Sequence, residues 1–118
     1  MIVITMTGDD IINAILSSDR VFLHYTDAMG LAAILQTGVI RTNQKFVVYL
    51  TQEPTSPSDA HTNLFIGATT HEGRGSHILV LRIDSGVLVD RVAYLEYVAR
   101  QSLRLDQHSV LYAGPNPF

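Results

Sequence analysis

Cysteine is absent from the 118 residues, which excludes disulfides and thiolate chemistry. Cations are scarce: 8 Lys and Arg stand against 11 Asp and Glu, for a formal net charge of −3. Broad electrostatic binding to nucleic acid needs several phosphate-neutralising cations, so this balance argues against it. One nucleotide held in a pocket stays compatible. No apolar run approaches the ~20 residues that cross a bilayer. The opening stretch "MIVITMTGDD" has neither the basic start nor the small-residue cleavage site of a signal peptide. A secreted form would need another delivery route, for instance as the end of a longer chain.

Several chemical motifs are missing too. "HEGRGSH" has the His–Glu pair of a zinc protease but not its second histidine, and its glycines forbid a stable helix. The five histidines show no ligand spacing that closes a zinc site, so no metal is expected. "HEGRGS" lacks the Lys-Ser/Thr of a P-loop, and no G-x-G-x-x-G follows a strand. G-x-S-x-G is absent as well, which disfavours an α/β-hydrolase.

What is present fits one domain spanning residues 1–118, with an ordinary apolar share of 47%. "TGDDIINAILSS" predicts a helix capped by Thr7, with Ile11, Ile12, Ile15 and Leu16 on one apolar face. "RVFLHYT" predicts a strand. "DAMGLAAILQTG" predicts a second helix, with Asp27 as cap, Leu31, Ile34 and Leu35 as the buried stripe, and Gly38 as the stop. "VIRT" suits a short strand, and "KFVVYLTQ" a continuous central one. "EPTSPSD" breaks the chain, after which Ser58 or Asp59 suits the cap of a helix through "AHTNLFIGATT". "HILVLRID" reads as a central strand and "GVLVDRVAYLEYVARQSLRL" as short strands. "HSVLYAG" reads as a last strand and "PNPF" as a tail. The class is α+β: five or six mostly antiparallel strands with two or three helices at the edges.

Three β-like stretches carry polar or aromatic groups in apolar settings: "FLHYTD", "VVYLTQ" and "YLEY". A lone histidine in a strand is commonly a satisfied structural one, and tyrosine is a favoured strand residue. A carboxylate in such a setting is costly unless paired or hydrogen-bonded. The order of the three points further. His24, Tyr49 and Glu96, on three separate strands, resemble the His-Tyr-Glu signature of the ADP-ribosyltransferase fold in its diphtheria-toxin and poly(ADP-ribose)-polymerase branch. "HYT" at His24–Thr26, "VVYLT" around Tyr49 and "YLEY" around Glu96 carry that likeness from about residue 20 to the end. The nearest pattern is that of small bacterial polymorphic-toxin domains with an HYD signature. Tyr25 departs from the small residue that follows His in the polymerases. If "DQHSVLY" formed the third strand, Asp106 would replace Glu96.

The resemblance implies a split, mostly antiparallel sheet with flanking helices, and NAD as substrate without a metal. It implies that Tyr49 stacks on the nicotinamide ring and that His24 bonds the adenosine-side ribose. Glu96 would accept from the nicotinamide-ribose 2′-hydroxyl and stabilise an oxocarbenium-like cation, much as in glycoside cleavage. Tyr25 would supply a backbone clamp, Thr26 and Ser58 further contacts, and Arg41 or Arg74 a pyrophosphate contact. Neighbours on a strand face opposite sides, so His24 would face the cleft and Tyr25 the core or the cleft wall.

The expected activity is mono-ADP-ribosyl transfer by a toxin-like effector. Its acceptor would be a protein rather than nucleic acid, and its place of action the cytoplasm, reached through a secretion system. An immunity protein or a larger carrier chain would be its partners, with no membrane. Two other readings stand beside it. One is an NAD glycohydrolase on the same fold. The other is an inactive module that binds ADP-ribose or a protein.

Overall fold

The computed structural model describes residues 6–57, 75–93 and 96–118. The predicted helix around Ser58, together with His61, His71 and Arg74, lies outside them.

Helix α1 (Gly8–Ser17) starts where the sequence demands. The Thr7 hydroxyl accepts from the Asp10 amide at 3.1 Å, and the Asp10 carboxylate accepts from the Thr7 amide at 3.0 Å. This reciprocal box satisfies two amides that the first turn leaves without partners. Ile11 is buried, with Ala14 and Ile15 packed on the same cluster. Leu16 departs from the expected apolar face and is 80% exposed. The row through Ile11, Ala14 and Ile15 meets the sheet, and Leu16 lies one row round the helix.

Helix α2 (Ala28–Thr37) has the expected ends. The Asp27 carboxylate accepts from the Gly30 amide at 2.6 Å. Gly38 closes the helix at φ 71°, donating its amide to the Ile34 carbonyl at 2.8 Å. That left-handed conformation favours glycine. Leu31 and Ile34 are buried and Leu35 packs beside them.

Eight strands are seen among the described residues, more than the five or six expected, because the last third of the chain breaks into very short pieces. Strands β1 (Val21–Thr26), β4 (His77–Arg82) and β8 (Ser109–Pro115) form one antiparallel sheet in the order β1-β4-β8. Strands β3 (Val48–Leu50), β6 (Tyr97–Ala99) and β5 (Val89–Arg91) form a second, in the order β3-β6-β5. A two-stranded ribbon pairs β2 (Val39–Ile40) with β7 (Leu103–Arg104). All of these pairings are antiparallel, and the α+β class holds.

An isolated bridge joins the two larger sheets. Leu23 and Thr51 exchange backbone bonds of 2.7 and 3.0 Å as an isolated bridge. On either side of β1 the core divides. Phe22, Leu79, Leu81, Val48 and Leu50 pack with α2. Val21, Leu23, Tyr25, Ile78 and Val80 pack with Ile11 of α1. The period of two along "VFLHYT" sends alternate residues to the two sides.

Two expectations need correction. "KFVVYLTQ" is not one continuous strand: the ladder covers Val48–Leu50, with Thr51 adding one isolated bridge. Phe46 has φ 61°, a left-handed conformation that ends extended structure. A turn around Asn43 holds it there, with the Phe46 amide donating to the Asn43 carbonyl and the Lys45 amide to the Asn43 side chain. "PNPF" is not a loose tail either. The Asn116 carboxamide donates to the Thr55 carbonyl at 2.8 Å and the Gly75 carbonyl at 2.9 Å. Its side-chain oxygen accepts from the Phe118 amide, and the Phe118 ring packs on the α1 side of the core.

Candidate functional site

The seam between the sheets gathers the residues of interest. His24 lies on β1 next to the Leu23–Thr51 bridge. Its Nδ1 is 2.9 Å from the Tyr49 carbonyl on β3. A carbonyl only accepts, so Nδ1 carries a hydrogen and donates it. In the neutral ring that leaves Nε2 as the unprotonated nitrogen, able to accept from a hydroxyl. The ring orientation and the tautomer are therefore set by the backbone of the neighbouring strand.

Tyr25 takes the other side of β1, as alternation requires. It is 6% exposed, and its hydroxyl accepts from the Thr55 amide at 2.8 Å and donates to the Glu53 carbonyl at 3.1 Å. Burial, partly offset by the Thr55 hydrogen bond, pushes its phenol up to about 12. It is a core tyrosine that ties β1 to the segment after β3. Thr26 is buried beneath α2: a Cβ added at Gly30 would collide with its hydroxyl oxygen.

Tyr49 stands between buried Val48 and Leu50 and points the other way, 39% exposed. An open aromatic face on a short strand is suited to stacking. Its partner across the sheet is Val98, and Leu50 pairs with Tyr97. Glu96 directly precedes Tyr97, one strand over from Tyr49. It lies just before β6 rather than within a strand: its amide donates to the Ala93 carbonyl, and its carbonyl accepts from the Val92 amide. The Tyr97 ring packs edge-on against Phe22 at 5.3 Å, which ties the start of β6 to β1.

The structure thus brings His24 and Tyr49 into direct contact and puts Glu96 at the head of the adjacent strand. Asp106 is elsewhere. It occupies a short 3-10 turn, Leu105–Gln107, after β7, where its exposed carboxylate pairs with Arg104 at 2.9 Å. Arg41 is exposed just after β2. Ser58 and Arg74 lie outside the described residues.

Sequence reasoning missed several residues that shape this region. Asn116, Thr55 and Gln52 hold the segment after β3. Gln52 donates to the Asp19 and Val21 carbonyls at 3.3 and 3.1 Å. Gln52 and Asn116 satisfy backbone carbonyls far along the chain, and the Thr55 amide donates to the Tyr25 hydroxyl; no local pattern announces these partners. Among the described residues no group of three or more His, Asp or Glu side chains is arranged to hold a metal. No helix among them is long and apolar enough to cross a membrane. No protein-family model, curated protein or solved structure matches the chain.

Proposed function

We propose that this chain is an NAD-dependent mono-ADP-ribosyltransferase of the toxin-like kind, with the split-sheet fold of that family. One observation carries the reading: His24 of β1 is held by the Tyr49 carbonyl of β3, at the seam where Leu23 and Thr51 form an isolated bridge. In this reading the flat ligand lies along that seam, beside the His24 and Tyr49 side chains. His24 on β1, the ring of Tyr49 on β3 and Glu96, which directly precedes β6, are the groups that would act on it.

The chemistry follows from those groups. Nε2 of His24 accepts from a ribose hydroxyl and fixes the adenosine half of NAD. Tyr49 stacks on the nicotinamide ring. The bond from the ribose C1′ to the nicotinamide nitrogen then breaks, and its electron pair leaves with neutral nicotinamide. Positive charge develops on C1′, and the Glu96 carboxylate, bonded to the 2′-hydroxyl, stabilises it. A nucleophile attacks C1′ and gives up its proton. A protein side chain as nucleophile yields the transferase. Tyr25 serves this site from behind, through packing rather than contact.

Nicotinamide release from NAD by the purified chain tests the reading, beside Glu96→Ala and Asp106→Ala. Release is expected from the parent chain and from Asp106→Ala. In Glu96→Ala it should fall about 10²-fold or more, the usual scale for losing a transition-state electrostatic partner. Release lost in Asp106→Ala instead would move the carboxylate. Release without labelled acceptor would assign a glycohydrolase. NAD bound without release, in the presence of candidate acceptors, would favour the binding module.

A further inference from the structure

The last histidine of the chain holds a junction away from the seam. His108 closes the 3-10 turn Leu105–Gln107 and directly precedes β8. Its Nδ1 accepts from the Asp84 amide at 3.0 Å. Asp84 follows the end of β4, so this bond ties the end of β4 to the start of β8. The Asp84 carbonyl bonds elsewhere, accepting from Arg20 and from the Val87 amide. The rungs next to the His108 bond are Arg82↔Ser109 and Leu81↔Val110. Beyond them the register shifts, and Leu111 bulges without a partner across the ladder.

The imidazole fits this place only as the neutral ring. A backbone N–H only donates, so Nδ1 must keep its lone pair, and the single ring proton sits on Nε2. Nε2 is buried and finds no acceptor among the described residues. A second proton would go to Nδ1 and set two N–H groups face to face. The cation would then have no acceptor at either nitrogen, where burial makes one necessary.

The charges around the ring pull both ways. The Arg20 guanidinium repels a proton there, while the Asp84 and Asp106 carboxylates attract one. Both carboxylates are already engaged: Asp84 accepts from the Gly86 amide, and Asp106 pairs with Arg104. Arg82 of β4 lines the same surface pocket as His108 and adds a second cation. Burial is the largest influence and holds the ring below the usual histidine range.

We propose that His108 is an acid-sensitive clasp on the β1-β4-β8 sheet: when the ring takes a proton, the Asp84 bond is lost and β8 parts from β4 at this end, as far as the bulge. The closed form binds that proton less tightly than the open one. The clasp is therefore at full strength above about pH 6.5, the ordinary histidine value, and is lost as pH falls through the lower value of the closed form. The ratio of closed to open falls by at most about tenfold per pH unit, the limit for one proton.

Hydrogen exchange of the whole chain at pH 7.5 and 5.0 tests this, read as protection factors, which remove the intrinsic pH dependence of exchange. The window stops at 5.0 because carboxylates titrate mainly below it. The Ile83 amide donates to the Arg20 carbonyl and the Asp84 amide to His108, so by alternation the Arg82 and Ile78 amides face β8. Protection at Asp84 and Arg82 should fall about tenfold at pH 5.0, while Ile78, past the bulge, keeps its own. His108→Asn offers an acceptor oxygen and no titratable group, and in it the loss should disappear. The nitrogen resonances of the parent ring, which need no variant, should show it less than half charged at pH 6.5. Equal protection at both pH values would overturn the clasp. So would the same loss in His108→Asn, a loss that reaches Ile78 equally, or a ring half charged at or above pH 6.5. The clasp shares no residue with the seam, so either reading can fail without the other.

Discussion

Two neighbouring residues on β1 have different work because a strand has two sides. His24 meets the second sheet, and Tyr25 meets the core under α1 and the segment after β3. The phenol of Tyr25 does two jobs at once, accepting from one backbone amide and donating to one carbonyl. Tyr25→Phe keeps the ring but strands the buried Thr55 amide. We expect a loss of about 1–3 kcal/mol in urea unfolding. The phenol also makes stability depend on pH. Its folded value, about 12, lies above the ordinary 10. The folded state therefore holds the proton more tightly, and this contribution is full below pH 10. It is lost as pH rises from 10 through 12, by an amount of order 2–3 kcal/mol. Alkaline unfolding should lose that step in Tyr25→Phe. The alternation behind this arrangement was legible in "FLHYTD", since period two needs no tertiary information. The partner of the phenol was not, because a carbonyl 28 residues away leaves no mark on local sequence.

Among the elements, α2 is the one most tightly specified by its own residues. Asp27 and Gly38 mark both ends, and the buried stripe follows from spacing alone. Its seat on β1 is tighter than the sequence suggested. A Cβ at Gly30 would collide with the hydroxyl of buried Thr26. Gly30→Ala should therefore destabilise by more than about 1 kcal/mol, although alanine is the better helix former by nearly that amount. Thermal melts of Gly30→Ala and of Gly30→Ala with Thr26→Ala check this, since the second change removes the obstructing hydroxyl and should recover part of the loss. β3 shows the opposite case. Its residues favour extended structure from Lys45 onward, yet pairing begins only at Val48. The Asn43 turn and the left-handed Phe46 override that preference, and Phe46 stays 76% exposed. Strand propensity reports how a residue fits a pleated surface, not where a turn will cut it. Glu96 likewise falls just outside the pairing, since β6 begins only at Tyr97.

For the molecule as a whole, "PNPF" is the segment whose role local patterning hid most fully. Prolines on both sides of Asn116 look like the end of order, but they present its carboxamide to two carbonyls. Thr55 precedes, and Gly75 follows, the stretch from 58 to 74, so one side chain ties the chain on both sides of it. Asn116→Ala should cost about 2 kcal/mol, the order expected for two hydrogen bonds to partly buried carbonyls. Asn116→Asp should cost at least as much near neutral pH, because a carboxylate would face those carbonyls without donors. Both are read by chemical denaturation. The α+β class was legible because helix caps and strand runs are local signals. The separation into two sheets was not, because it rests on pairings between distant stretches.

Strand β4 has a consequence for how the chain reaches this state. It lies between β1 and β8, with Ile78 through Leu81 fully enclosed. The residues flanking the two strands, Arg20 before β1 and Ile83 after β4, bond to each other across 63 residues. That closure has to be made before the burial of "ILVL" repays it, which places the chain among slow folders dominated by non-local contacts. Until then "HILVLR" is an uncovered apolar strand with two open edges, the segment through which unfinished copies would stick to one another. Arg82, at the end of the strand, is the charge within it that opposes such pairing. Refolding yield should therefore fall as protein concentration rises, even where the finished fold is stable.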